Sequence, residues 1–170
     1  MEMQERVFPM RFTAYRYERD SAGAGLHRGG FGVTKEWLVT HGDAVLSDIG
    51  DRETRGSWGW DGGSDSRPNS FLYAPGTDEE QRVGMFRTGM VVREGRRLQY
   101  HHAGGGGYGR PEERDPAWVL DDVRDELVSV DAAREVYRVV VVADAADPYG
   151  YVLDEAGTRA LRDGGTAPQG

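Results

Sequence analysis

A chain of 170 residues with 38% hydrophobic content is long enough for one compact domain with a real core and too short for two comfortable ones. Its net charge of -8, with no basic patch among its 21 lysines and arginines, argues against nucleic acid, whose phosphates demand clustered cations. Cysteine is absent and Lys35 is the one lysine, which excludes disulfides, thiolate chemistry, cysteine zinc sites and a Walker A loop.

Taken in chain order, Met1 to Arg6 carries two glutamates and no apolar run, and no later stretch approaches about 18 consecutive apolar residues. A soluble, cytoplasmic protein without signal peptide or membrane span is expected. Pro9 to Arg19 alternates as an early strand, although Tyr15 and Arg16 blur the period of two. Asp20 to Gly32 holds five glycines, a composition that supplies either turns or a backbone surface facing a ligand. Phe31 to Thr40 reads as a strand, and His41, Gly42 and Asp43 read as a hairpin turn into a further strand, Ala44 to Ile49.

Gly50 to Asn69 shows no period. Trp58 and Trp60 within it favour order, as plugs at a core edge or as a ligand platform. Phe71 to Ala74 is a short strand stopped by Pro75 and Gly76, and the acidic run Asp78 to Glu80 reads as a solvated loop. Extended pieces follow at Arg82 to Arg87, Met90 to Val92 and Arg96 to His102, with a turn at Glu94 and Gly95. Beyond the glycine run the period turns helical. Asp115 caps a helix opened by Pro116, with Val119, Leu120, Val123 and Leu127 on one face and Asp121 to Glu126 supplying a solvated one. Ser129 caps a second helix, Val139 to Val142 forms an apolar strand, and Asp154 starts a last helix stopped by Gly164 and Gly165. The expected fold class is α+β: a mainly antiparallel β domain over residues 1–165 with two or three short C-terminal helices and a frayed tail, 166–170.

The centre of the chain is Tyr100 to Asp115, with four consecutive glycines, Gly104 to Gly107. Each glycine costs roughly 0.5 to 1 kcal/mol against alanine in regular structure, so the run is either a tether or a backbone held in close approach. The strand before it, the helix after it and the flanking Tyr100 and Tyr108 favour an ordered loop. Gly104, Gly106 and Gly109 satisfy a dinucleotide pattern, but Pro111 and several polar residues separate them from the helix N-terminus that would meet a pyrophosphate. His101 and His102 are the candidate catalytic or partner-facing polar residues. As strand neighbours they point to opposite faces and cannot easily share an ion, so no metal site is expected. Gly104, Gly105, Gly106, Gly107, Tyr108, Trp58 and Trp60 form the candidate ligand or partner loop.

Gly104 to Gly109 followed by Pro111, Glu113, Arg114, Asp115 and Pro116 resembles the C-terminal signature of the hydantoinase B/oxoprolinase family. The segment Arg16 to Gly32, with Asp20, Ser21, Gly23, Gly25, Arg28 and Gly29, is similar to that family's arginine-, aspartate- and glycine-rich segment. Trp58, Gly59, Gly62 and Gly63 resemble its tryptophan-glycine loop, and Asp122, Val123, Leu127, Ser129, Ala133 and Tyr137 its closing helices. Arg96 and the pair His101 and His102 depart from it, standing where an aspartate and a threonine-proline pair are usual.

The resemblance implies the C-terminal part of a larger family protein, carried as a small subunit of an ATP-dependent enzyme that hydrolyses cyclic amides. The alternatives are a subunit of an acetone or acetophenone carboxylase-like enzyme and a non-catalytic scaffold. It also implies larger hydantoinase A-like and hydantoinase B N-terminal-like partner subunits. ATP and a divalent metal are expected in those partners and not in this chain.

Overall fold

The computed structural model describes residues 1–164. The expected tail at 166–170, and Gly165 of the expected helix stop, lie outside the described residues.

The order of elements is α1 (Glu2–Val7), β1 (Met10–Tyr17), β2 (Val33–Val39), β3 (Ala44–Ile49), β4 (Ser70–Tyr73), β5 (Gln81–Arg82), β6 (Phe86–Val92), β7 (Arg97–His101), a 3₁₀ turn (Pro111–Glu113), α2 (Pro116–Arg124), α3 (Val130–Glu135), β8 (Val141–Ala143), β9 (Tyr151–Leu153) and α4 (Glu155–Arg162). The α+β class holds, with antiparallel strands first and short helices gathered in the C-terminal part. The N-terminal helix α1 and the strand β9 were not legible as elements.

Five strands form one antiparallel sheet in the order β1-β2-β7-β4-β5, and β3 and β6 form a separate two-stranded ribbon. In β1 the register shifts between Phe12 and Ala14, which explains the blurred alternation at Tyr15 and Arg16. The expected hairpin from Phe31 to Ile49 does not form. Both sides of β2 are already paired, with β1 and with β7, so the chain leaves the sheet at His41 to Asp43 and β3 pairs with β6 instead. The two extended pieces expected between Arg82 and Val92 are also redrawn. Strand β5 stops at Arg82, Val83 and Met85 turn into the core, and β6 runs on through Gly89 at a φ of 71°.

Residues opposite one another across the strands share a face, so Phe71, Trp37, Leu98 and Tyr100 line one side of the sheet. The ribbon covers that side, and Val39, Phe71, Met85, Val92 and Leu98 are buried there. A second core collects Val119, Val123, Val128, Ala133, Tyr137, Val139 and Val141 beneath the C-terminal helices. The predicted caps are in place. Asp115 accepts from the Ala117 N–H at 2.9 Å, Ser129 from the Ala132 N–H at 3.0 Å, and Asp154 from the Gly157 N–H at 2.9 Å.

Candidate functional site

The glycine run leaves the central strand β7 and meets two other irregular segments, 21–32 and 57–66. The three lie so close that backbone, not side chain, fills the space between them. A Cβ on Gly106 would sit 1.8 Å from the Trp58 carbonyl oxygen, and one on Gly107 1.9 Å from that of Ala24. No side chain fits at either place. Buried backbone groups must be paired, and here they pair across the segments. The Gly23 N–H donates to the Gly105 carbonyl at 2.8 Å, the Gly105 N–H to Gly30 at 2.8 Å, the Gly107 N–H to Ser64 at 3.0 Å and the Trp60 N–H to Gly107 at 2.8 Å. Two serines complete the set: Ser64 Oγ accepts from the Ala24 N–H at 2.8 Å and Ser57 Oγ donates to the Gly104 carbonyl at 2.7 Å. The run is therefore an ordered, close-approach core, and the tether reading is excluded.

An interior made of backbone has no room for large rings, so Trp58, Trp60 and Tyr108 turn their side chains outward, while only small residues such as Ser21, Ala24 and Ser66 are buried among the glycines. Trp58 is 73% exposed and Trp60 68%, and Tyr108 is about half exposed. The expectation that the tryptophans plug a core edge is thus corrected. Their backbones are nevertheless fixed. Trp60 forms a parallel bridge with Tyr108, and its carbonyl accepts from Gly63 at 2.9 Å and Gly109 at 3.0 Å. Tyr108 also forms an antiparallel bridge with His27, and the two rings stack with centroids 6.2 Å apart. The result is a rigid, aromatic surface patch on a backbone that cannot give way.

His101 and His102 separate to opposite faces of the sheet, as alternation requires. On the outer face, His101 Nδ1 lies 2.9 Å from Thr34 Oγ1 and 3.4 Å from Glu18 Oε2, and Nε2 lies 3.1 Å from Gln99 Oε1. Burial pushes the Glu18 carboxyl up, but its hydrogen bond from Thr34 and the charges of His101 and Arg67 outweigh that and hold it below its ordinary value. On the inner face, the His102 ring packs 4.2 Å from that of Tyr100. Burial first, and the Lys35 charge second, push its pKa down. Among the described residues, neither histidine hydrogen-bonds to Trp58, Trp60 or Tyr108. Among the described residues, no three His, Asp or Glu side chains converge in a way that could hold a metal ion.

Sequence reasoning missed Asp122, which it placed on a solvated helix face. Asp122 is buried and receives Arg28 through two bonds of 2.9 and 2.8 Å and Arg114 through one of 3.0 Å. Arg114 also donates to the Leu26 carbonyl at 3.2 Å. This triad clamps the segment 21–32 to helix α2. The available signal was spacing: Asp122 lies three residues after Val119, on the inward side of the helix, while two arginines sit within the glycine-rich motifs.

Fold and site together define an α+β domain whose distinctive feature is a glycine-built core carrying an aromatic rim. The sequence pattern of the Hydantoinase B/oxoprolinase family matches residues 1–111, and the chain belongs to that family. It is 34% identical over 165 residues to the caprolactamase subunit beta of Pseudomonas jessenii, covering 95% of this chain and 27% of that protein. The crystal structure of the ATP-dependent caprolactamase from the same organism superposes with a TM-score of 0.76 at 31% identity, over 95% of this chain and 28% of that one. A nucleotide-free acetone carboxylase structure superposes with a TM-score of 0.82 at 25% identity, over 96% of this chain and 26% of that one. The chain thus spans about a quarter of the length of the curated relatives it matches. Among the described residues no helix is long and apolar enough to cross a membrane.

Proposed function

We propose that this chain acts within a heteromeric, ATP-dependent hydrolase of cyclic amides in the cytoplasm, where it supplies a rigid docking surface to larger hydantoinase A-like and hydantoinase B N-terminal-like subunits. The observation that carries this reading is the aromatic rim of Trp58, Trp60 and Tyr108, held outward by the glycine core. Exposed aromatic patches mark interaction sites, and tryptophan and tyrosine are favoured anchors in them. Membership of a family with a caprolactamase subunit points the same way.

ATP and a divalent metal belong, in this proposal, to the partner subunits. Two features support that placement: the one lysine stands on a strand outside any phosphate loop, and no ligand triad converges among the described residues. Purified chain is accordingly expected to turn over neither cyclic amide nor ATP. A ketone carboxylase is the second reading, favoured by the higher structural overlap with acetone carboxylase, whereas the higher sequence identity favours the hydrolase.

Co-expression with the large subunits tests the proposal. The expected result is a stable complex whose cyclic-amide hydrolysis depends on this chain. A chain that stays apart from those subunits, with hydrolysis unchanged when it is omitted, overturns it.

A further inference from the structure

The inner face of the sheet and the β3–β6 ribbon do not close on each other along their whole length. Two adjoining cavities lie between them, of about 420 and 320 Å³, and share Met10, Trp37 and Leu46 in their walls. Volumes of this order fall within the range of roughly 300 to 1,000 Å³ usual for small-molecule sites. One end is apolar, walled by Val39, Val92 and Leu98. The other carries Lys35, Asp48, Tyr100 and His102.

The polar end is chemically unfinished. Asp48 Oδ2 is shielded from solvent and finds no donor among the described residues, and a buried acceptor without a donor is costly. Among the described residues Lys35 makes no ion pair; its ammonium rests 5.4 Å from the centroid of the Tyr15 ring. Burial holds the His102 imidazole toward its neutral form, free to accept or donate without adding charge, and it raises the Asp48 carboxyl. A wall with an unsatisfied carboxylate oxygen, an unpaired ammonium and an aliphatic extension selects against simple ions. A bare cation meets Lys35, a bare anion meets Asp48, and an uncharged hydrocarbon leaves the carboxyl oxygen without a donor.

We propose that this groove binds a small zwitterionic amino acid with an apolar body, its ammonium donating to Asp48, its carboxylate set against Lys35 and its hydrocarbon lying on Trp37 and Leu46. The site is built entirely from this chain and does not rest on the subunit reading above. His102 and Tyr100 line the same polar end of the groove.

Isothermal titration of the full chain with leucine, 5-aminopentanoate, pentylamine and pentanoate tests the inference. At least one of the two zwitterions is expected to bind about tenfold more tightly than either single-charge probe, and Asp48→Asn and Lys35→Gln are each expected to weaken it about tenfold. Addition of the zwitterion should also move the His102 imidazole resonance, assigned by its loss in His102→Gln, which provides a readout on wild-type protein if a variant fails to fold. Binding of pentylamine as tight as that of the zwitterions, an unchanged affinity in Lys35→Gln, or a still imidazole resonance with no heat from either zwitterion each overturns the proposal.

Discussion

The sheet-and-ribbon sandwich and the glycine core solve the same problem by opposite means. In the sandwich, Phe71, Met85 and Leu98 interdigitate and the interior is hydrocarbon. In the glycine core the interior is peptide backbone, and stability comes from paired amides and from the absence of side chains. The first arrangement hides large aromatic residues. The second expels them, and the two most exposed tryptophans, Trp58 and Trp60, both sit on it. Tolerance should differ in the same way: a packed side-chain core accepts volume-conserving exchange, whereas a backbone core has no slack at all.

The largest expected effect comes from loosening the clamp between the glycine core and the helices. Asp122→Asn leaves Arg114 and Arg28 facing a neutral amide in a largely buried place, and should cost about 3 kcal/mol or more in chemical denaturation. A loss below about 0.5 kcal/mol would show that the segments hold together without the clamp. Next comes the glycine core itself. Gly106→Ala adds one methyl group against the Trp58 carbonyl and should cost about 3 kcal/mol, since backbone must move to admit it. Gly30→Ala makes the contrast, because a Cβ there meets nothing within 4 Å, and its effect should stay within about 0.5 kcal/mol. Equal costs at the two positions would remove the distinction between a backbone core and an ordinary loop.

A smaller effect separates the sandwich by pH. Burial and then the Lys35 charge depress His102 in the folded chain below its ordinary value of 6.5, so the unfolded chain takes up the proton first as pH falls. The stability His102 contributes in its neutral form is therefore present above about pH 6.5 and lost as pH falls from there through the lower folded-state value. Asp48, raised by burial, acts with the opposite sign, as its folded state holds a proton more readily. Comparing wild type with His102→Gln isolates the histidine: the stability difference between the two should shift against wild type on acidification. A difference independent of pH would contradict the buried, neutral imidazole.

What could be read from the sequence divides along local and non-local lines. The caps Asp115, Ser129 and Asp154 were legible because each acts on amides two or three residues away. The glycine run was legible as close-approach backbone because its composition admits few other uses. Strand pairing was not: Ala44 to Ile49 reads as a strand, but its partner β6 is chosen by which edges of β2 are already taken. The burial of Asp122 depends on Arg28 far away in the chain, and the exposure of Trp58 and Trp60 depends on three segments meeting without side chains between them. Neither is written in local spacing. His101 and His102 fell on opposite faces because alternation alone decides that.

The central claim is that the glycine core exists to display an aromatic docking surface, and the direct test is the affinity of this chain for the large subunits proposed as its partners, wild type against Trp60→Ala. Because Trp60 is 68% exposed, its loss should change folding stability by less than about 0.5 kcal/mol. It should weaken association by about 2 kcal/mol, roughly thirtyfold in Kd. Unchanged affinity in a variant as stable as wild type would contradict the account.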